Sequence, residues 1–225
     1  MGVILNIETA TTNCSVSISK DGKIVALKED NDKSYSHAER LHVYIETILK
    51  EAQIKSYELD AISVSKGPGS YTGLRIGVST AKGLCFALDT PLISIPTLRA
   101  LAHQVNIDEG VIVAMLDARR MEVYSAIYDA NYEAIRETQA QILEETSFMD
   151  YLEKGKVYFV GNGVEKTKTI IQHPNAFFVE GKLPSSNEMG LLADAKFEKS
   201  DLEDVAYFEP YYLKDFVALK PKPKK

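Results

Sequence analysis

The stretch Lys66-Gly67-Pro68-Gly69-Ser70-Tyr71-Thr72-Gly73-Leu74-Arg75-Ile76-Gly77 constrains this chain more than any other. It follows Ala61-Ile62-Ser63-Val64-Ser65, an apolar run that reads as a buried strand. It precedes Val78 to Leu88, which reads as a helix. Glycines at 67, 69, 73 and 77 mark backbone that turns sharply or is closely approached. Ser70 or Thr72 can cap the helix by accepting from one of its free N–H groups. Such a turn is either a structural corner or an anion site, because free N–H groups and the helix dipole point into it. On the second reading Gly67, Gly69, Ser70, Tyr71, Thr72, Gly73 and Arg75 surround the anion. The spacing matches neither Gly-x-x-x-x-Gly-Lys-Ser/Thr nor Gly-x-Gly-x-x-Gly. Gly73, Gly77 and Ala81 share one helical face. A face that small admits another backbone at close range, from the same fold or from another chain.

In chain order, Val3 to Glu8 reads as a central strand and Cys14 to Lys20 as a second. Asp21-Gly22 is a two-residue hairpin signal, and Lys23 to Lys28 gives a third strand. The opening is thus an antiparallel meander. After a polar loop from Asn31 to Ser36, Ser36 caps a helix from His37 to about Gln53. Its apolar stripe is Leu41, Ile45, Ile48 and Ala52, with Ala38, Tyr44 and Leu49 beside it. That stripe serves one core, or a core and a partner. Pro91 to Ile95 is a further strand, and Pro96-Thr97 starts a helix through about Val105. The order βββαβαβα resembles the half-domain of the ribonuclease H-like, actin-like class.

Residues 1–105 then form the first lobe and 106–225 a smaller second one. In the second, Val111 to Leu116 is a buried strand, Asp117-Ala118-Arg119-Arg120 a turn, and Met121 to Tyr128 the returning strand. A weaker strand from Glu133 to Thr138 follows, then a short helix from Glu144 to Leu152 and a strand from Lys156 to Val160. Gly161-Asn162-Gly163 ends that strand, and helices follow over Val164 to Gln172 and Asn187 to Phe197, the latter capped near Ser186. No internal sequence repeat is visible.

Net charge is −6, and an acidic chain is not built to grip nucleic acid alone. The basic cluster is the tail from Lys220 to Lys225. Cys14 and Cys85 form neither a metal spacing nor a disulfide framework, which fits a reducing cytosol. No apolar run of about 18 residues exists, so no membrane span is expected. The first residues run straight into a strand without a signal peptide, so a cytoplasmic location is expected. His37 and His42 point about 140° apart on a helix of about 3.6 residues per turn, a poor metal pair. His103 and His173 are isolated. Glu8 ends the first strand, where an acid holds a metal's water shell or serves as a buried, capping carboxylate. Asp117, Arg119 and Glu122 suit charge pairing at a hairpin or a binding role.

Gly67 through Gly77 resembles the signature of the bacterial TsaB (YeaZ) family. Leu5-Asn6-Ile7-Glu8-Thr9-Ala10 resembles that family's opening strand, which often carries Asp in place of Glu8. Ser36 to Leu41 is similar to its first helix, Asp117 to Tyr124 to its second-half hairpin, and Pro210 to Lys214 to its ending, where Arg is commoner than Lys214. The resemblance implies a two-lobed actin-like (ASKHA) fold and a role in making N6-threonylcarbamoyladenosine in tRNA beside the anticodon. In that pathway a synthase makes threonylcarbamoyl-AMP. The paralogue TsaD transfers the group using a metal held by histidines. The TsaB-like protein binds and activates TsaD without catalysing, and a small ATPase, TsaE, joins them. This chain lacks a His-x-x-x-His pair, in agreement with a non-catalytic paralogue.

The resemblance also places the partner interface on the first two helices, at Leu41, Tyr44, Ile45, Ile48, Gly73, Gly77, Thr80, Ala81 and Leu84. The same face would pair copies into a homodimer when the chain is alone, and Gly77→Leu should then abolish pairing but not folding. No tightly bound cofactor and no metal are expected; ATP or ADP belongs to the complex, and tRNA is met mainly through it. The alternatives are an actin-like nucleotide-dependent kinase or ATPase acting on its own, with Gly161-Asn162-Gly163 as its second phosphate loop, and a homodimeric interaction protein with no tRNA role. A peptidase fails for want of ligands.

Overall fold

The computed structural model describes residues 2–31 and 37–214. The expected cap Ser36, most of the loop before it and the lysine tail lie outside the described residues.

β1 (Val3–Glu8), β2 (Cys14–Lys20) and β3 (Lys23–Asp30) form the expected antiparallel meander. Asp21 and Gly22 take φ 52° and 74°, the paired positive values of a tight hairpin whose twist matches its strands. α1 (His37–Glu51), a 3-10 turn at Ser56–Glu58, β4 (Ala61–Gly67), α2 (Tyr71–Leu88), β5 (Leu92–Pro96) and α3 (Thr97–Ala102) complete the first half. The second half contains β6 (Val111–Asp117), β7 (Glu122–Tyr128), β8 (Ala134–Ile142), α4 (Met149–Leu152), β9 (Val157–Val160), α5 (Val164–Ile170), β10 (Ala176–Val179) and α6 (Met189–Glu198). The sheets run β3-β2-β1-β4-β5 and β10-β9-β6-β7-β8. In each, the first hairpin pairs are antiparallel and the later strands parallel. The halves therefore share element order and strand order, a duplication invisible in the residues.

β10 and the 3-10 turn were not foreseen, and α2 begins at Tyr71 rather than Val78. The turn after β4 shrinks to Pro68-Gly69-Ser70, and the later glycines lie inside the helix. Ser70 is the cap, its Oγ accepting from Gly73 N–H at 3.3 Å.

The first sheet has two different faces, because side chains alternate along a strand. Leu5, Ile7, Val16, Ile18, Ile62 and Val64 pack under α1 and α2. The opposite face is rich in short polar groups. Asn6 Nδ2 donates to Ser17 Oγ at 3.2 Å and Ser19 Oγ at 3.1 Å, and Ser63 Oγ donates to Asn6 Oδ1 at 2.6 Å. Ser17 Oγ donates to Ser186 O at 2.9 Å, which anchors the approach to α6. Met189 and Ala193 of α6 then pack on Ile4, Ala61, Ile93 and Ile95 of the first sheet. So the chain passes from the first sheet to the second between β5 and β6, but α6 returns to the first sheet. The segment after it does too, through Glu203 N–H donating to Leu92 O at 2.8 Å.

Candidate functional site

Between the halves lies a cleft of about 450 Å³. Its walls are loops at the carboxyl ends of strands, where open α/β sheets bind ligands. Ala10 and Thr11 follow β1, Pro68 to Thr72 follow β4, Ala118 and Arg119 follow β6, and Asn162 follows β9. Gly67 and Gly161 occupy equivalent places at the ends of β4 and β9 and share φ values of 110° and 112°.

The signature loop is held from within. Gly67 N–H donates to Thr97 Oγ1 at 3.1 Å, and Ser70 N–H donates to Ala10 O at 2.7 Å. Gly69 and Ser70 line the cleft, Thr72 is exposed, and the Tyr71 ring stands 4.9 Å from Tyr212. Arg75 lies over Tyr71 at 4.3 Å and donates from Nε to Tyr212 OH at 3.2 Å. The chain's last described residues thus cross the cleft. Tyr211 N–H donates to Lys66 O at 2.7 Å on one side, and Lys214 pairs with Glu122 on the other.

Glu8 is fully buried. Ala10 N–H and Ser65 Oγ donate to its Oε1 at 2.6 and 2.8 Å, while Oε2 has no partner. Burial pushes its carboxyl up to about 7, against the hydrogen bonds that lower it. The residue is a sealed carboxylate capping its own loop. The four histidines serve locally: His37 Nε2 lies 2.7 Å from Thr11 O, His42 is exposed, His103 stacks on Tyr132 at 4.0 Å, and His173 Nδ1 accepts from Asn175 N–H. Burial, then Arg99, pushes the His103 imidazole down to about 4. Among the described residues no group of three or more His, Cys, Asp and Glu could hold a metal.

The hairpin acids pair, but with lysines distant in sequence. Lys166 Nζ donates to Asp117 Oδ1 at 2.7 Å, and Lys214 takes Glu122. Arg119 is left out. Nothing in the local spacing signals Lys166 or Lys214, because the sheets bring them in.

The residues expected at the interface pack within the chain itself. Leu41, Ile45, Ile48 and Ala81 are buried in the chain's own core, and Tyr44 and Leu84 are half-buried against it. Each full burial of such a large aliphatic chain stabilises the fold by about 1.5–3 kcal/mol. Gly73, Gly77 and Thr80 are buried as well. The small face of α2 meets the Thr9 loop of the same chain: a Cβ on Gly73 would lie 2.1 Å from Thr9 O, and one on Gly77 2.2 Å from Thr9 Oγ1. What these helices present outward is different: Val43, 56% exposed, on α1 and Phe86, 87% exposed, on α2.

The duplicated βββαβαβα halves and the cleft between them define a two-lobed actin-like α/β protein. The family model described as "TsaD: tRNA N6-adenosine threonylcarbamoyltransferase" matches residues 29–222. The tRNA threonylcarbamoyladenosine biosynthesis protein TsaB of Escherichia coli is 31% identical over 99% of both chains. Its Bacillus subtilis namesake is 30% identical over 75% of both. The solved structure of YeaZ from Pseudomonas aeruginosa, 26% identical, superposes with a TM-score of 0.81 over 95% of this chain and 100% of that one. The chain belongs to the TsaB family, within the wider group that the TsaD model describes.

Proposed function

We propose that the chain is a non-catalytic subunit in tRNA threonylcarbamoyladenosine formation, binding and activating a TsaD-like catalytic paralogue. The observation that carries this is full-length similarity to TsaB of E. coli. The site's chemistry supports it. The acid of the first strand is sealed, and both carboxylates at the cleft hairpin are held by lysines. A general base must reach its proton directly or through one water. The partner docks on α1 and α2 through the outward residues, with Phe86 as its anchor, because a large exposed aromatic is the kind of side chain that dominates interfaces. The same face pairs copies of the chain in the partner's absence. A TsaE-like ATPase joins the complex, which supplies the nucleotide site, and the setting is the cytoplasm.

The test is product formation on unmodified tRNA with purified synthase, TsaD-like protein and small ATPase, with and without this chain. Strict dependence, with no product from the chain alone, is the expected result. Equal product without it refutes the reading, and ATP turnover by the isolated chain would favour the kinase alternative. Phe86→Asp is expected to weaken co-elution with the TsaD-like protein at least tenfold while the melting temperature stays within about 2 °C, since surface changes alter stability by only about 0.5 kcal/mol. Unchanged co-elution would move the interface elsewhere.

A further inference from the structure

The halves are joined by α3 through apolar packing. Its Leu98 and Leu101 form one buried cluster with Ile112, Leu116 and Ala126 of the second sheet. The segment after α6 joins them in a different way, and its hold changes along its length. As far as Phe208 it is anchored firmly to the first half. Glu203 N–H donates to Leu92 O, Val205 and Phe208 pack on the first core, and Lys82 Nζ donates to Ala206 O at 3.1 Å and Phe208 O at 2.9 Å.

Beyond Glu209 the ties are few and lie at the surface. Tyr211 N–H donates to Lys66 O, the Tyr212 ring meets Tyr71 while its hydroxyl accepts from Arg75, and Lys214 pairs with Glu122 of β7. The first ties are to one half and the last is to the other. Tyr211 and Lys214 are exposed, and among the described residues none of Tyr211, Tyr212, Leu213 and Lys214 joins a hydrophobic core. A single hydrogen bond or surface ion pair shifts an equilibrium only a few-fold. These four residues are therefore the part of the segment that lifts most easily, while the apolar joint at α3 stays made.

The signature loop is shaped to receive them. A Cβ on Gly67 would lie 2.8 Å from Tyr211 O, so the backbone of the segment rests directly on that glycine. The duplicated fold does not demand this contact. At the equivalent Gly161 the close backbone atom is Met115 O, in the neighbouring strand of the same sheet.

We propose that Tyr211–Lys214 is a latch across the interlobe cleft, hinged at Glu209, which holds the halves together when fastened and lets them part when it lifts. The same four residues line the cleft, so lifting the latch also widens it. Glu122 is the catch on the second half. These contacts hold whatever the chain's role, so the latch stands or falls apart from the proposed function.

The test is amide hydrogen exchange of the full chain. Tyr211 N–H is expected to exchange at least a hundredfold faster than the amides of β1 and β4, as a unit that opens by itself. Glu122→Gln, made on the opposite half, should speed Tyr211 exchange about fivefold and leave the amides of β7 unchanged. Glu122→Lys/Lys214→Glu should restore the rate to within about twofold, which separates a lost ion pair from a damaged hairpin. Parting of the halves is read between nitroxides on Glu39→Cys and Glu165→Cys, both at exposed positions, with Cys14 and Cys85 buried from the label. The parent should give one distance, and Tyr212→Ala/Lys214→Gln should add a longer one. Exchange of Tyr211 together with β1 and β4 overturns the latch, and so does a rate that Glu122→Gln leaves unchanged. A distance distribution that stays the same in the double variant overturns it too, since the segment would then be a surface trim and not a fastening.

Discussion

Gly73→Ala is expected to destabilise the chain by about 3–5 kcal/mol, enough to leave a protein of ordinary stability partly unfolded at 37 °C. The added Cβ would stand 2.1 Å from Thr9 O, a backbone atom that cannot rotate away. It would also push apart the contact in which Thr9 Oγ1 donates to Gly73 O at 2.8 Å, a buried hydrogen bond worth about 1 kcal/mol. Gly77→Leu places its Cβ 2.2 Å from Thr9 Oγ1 and drives a larger side chain into the same joint. It should yield insoluble chain rather than a folded, unpaired monomer, which reverses the expectation drawn from the resemblance. Gly83→Ala is the control: nothing lies within 4 Å of its Cβ, so a mid-helix alanine should add up to about 1 kcal/mol. Urea unfolding of the two alanine variants and the soluble yield of Gly77→Leu check this. A Gly73→Ala protein that unfolds at the wild-type midpoint would show that α2 does not rest on the Thr9 loop.

The second large effect concerns pH. The Glu8 carboxyl has a folded value of about 7 against an ordinary value of 4.5. Below 4.5 it is protonated in both states and contributes no pH dependence. Between 4.5 and 7 the unfolded chain ionises while the folded one holds its proton, so stability falls as pH rises. Above 7 the full cost, about 3 kcal/mol at about 1.4 kcal/mol per unit, is present. Glu8→Gln cannot ionise. Its stability relative to wild type should therefore climb by about 3 kcal/mol from pH 4.5 to 8, whatever offset the amide adds. Parallel stability curves for the two proteins would refute the sealed-carboxylate description.

Much of the fold was legible because local rules fixed it. Asp21-Gly22 announced the hairpin, and the run Ala61 to Ser65 announced the parallel strand beside β1. The site was less legible. Spacing shows that Gly73 and Gly77 share a small face but leaves open whether the same fold or another chain fills it; the Thr9 loop, 64 residues away from Gly73, fills it. Leu41, Ile45 and Ile48 looked broad enough for two surfaces, yet one sheet uses them all. The lysine partners of Asp117 and Glu122 lie 49 and 92 residues off, beyond any periodicity. The duplication escaped because it repeats geometry and not residues: Gly67 and Gly161 match in φ while their neighbours differ.

The return of α6 to the first sheet has a consequence for the order in which the chain is made. Ile4, Ala61, Ile93 and Ile95 emerge early from the ribosome, but Met189 and Ala193, which cover them, emerge nearly last. Through most of synthesis one face of the first sheet stays open, a surface on which partly made chains stick to one another. A fragment ending at residue 105 should therefore aggregate, and added peptide 184–214 should restore its solubility. The chain closes from its far end.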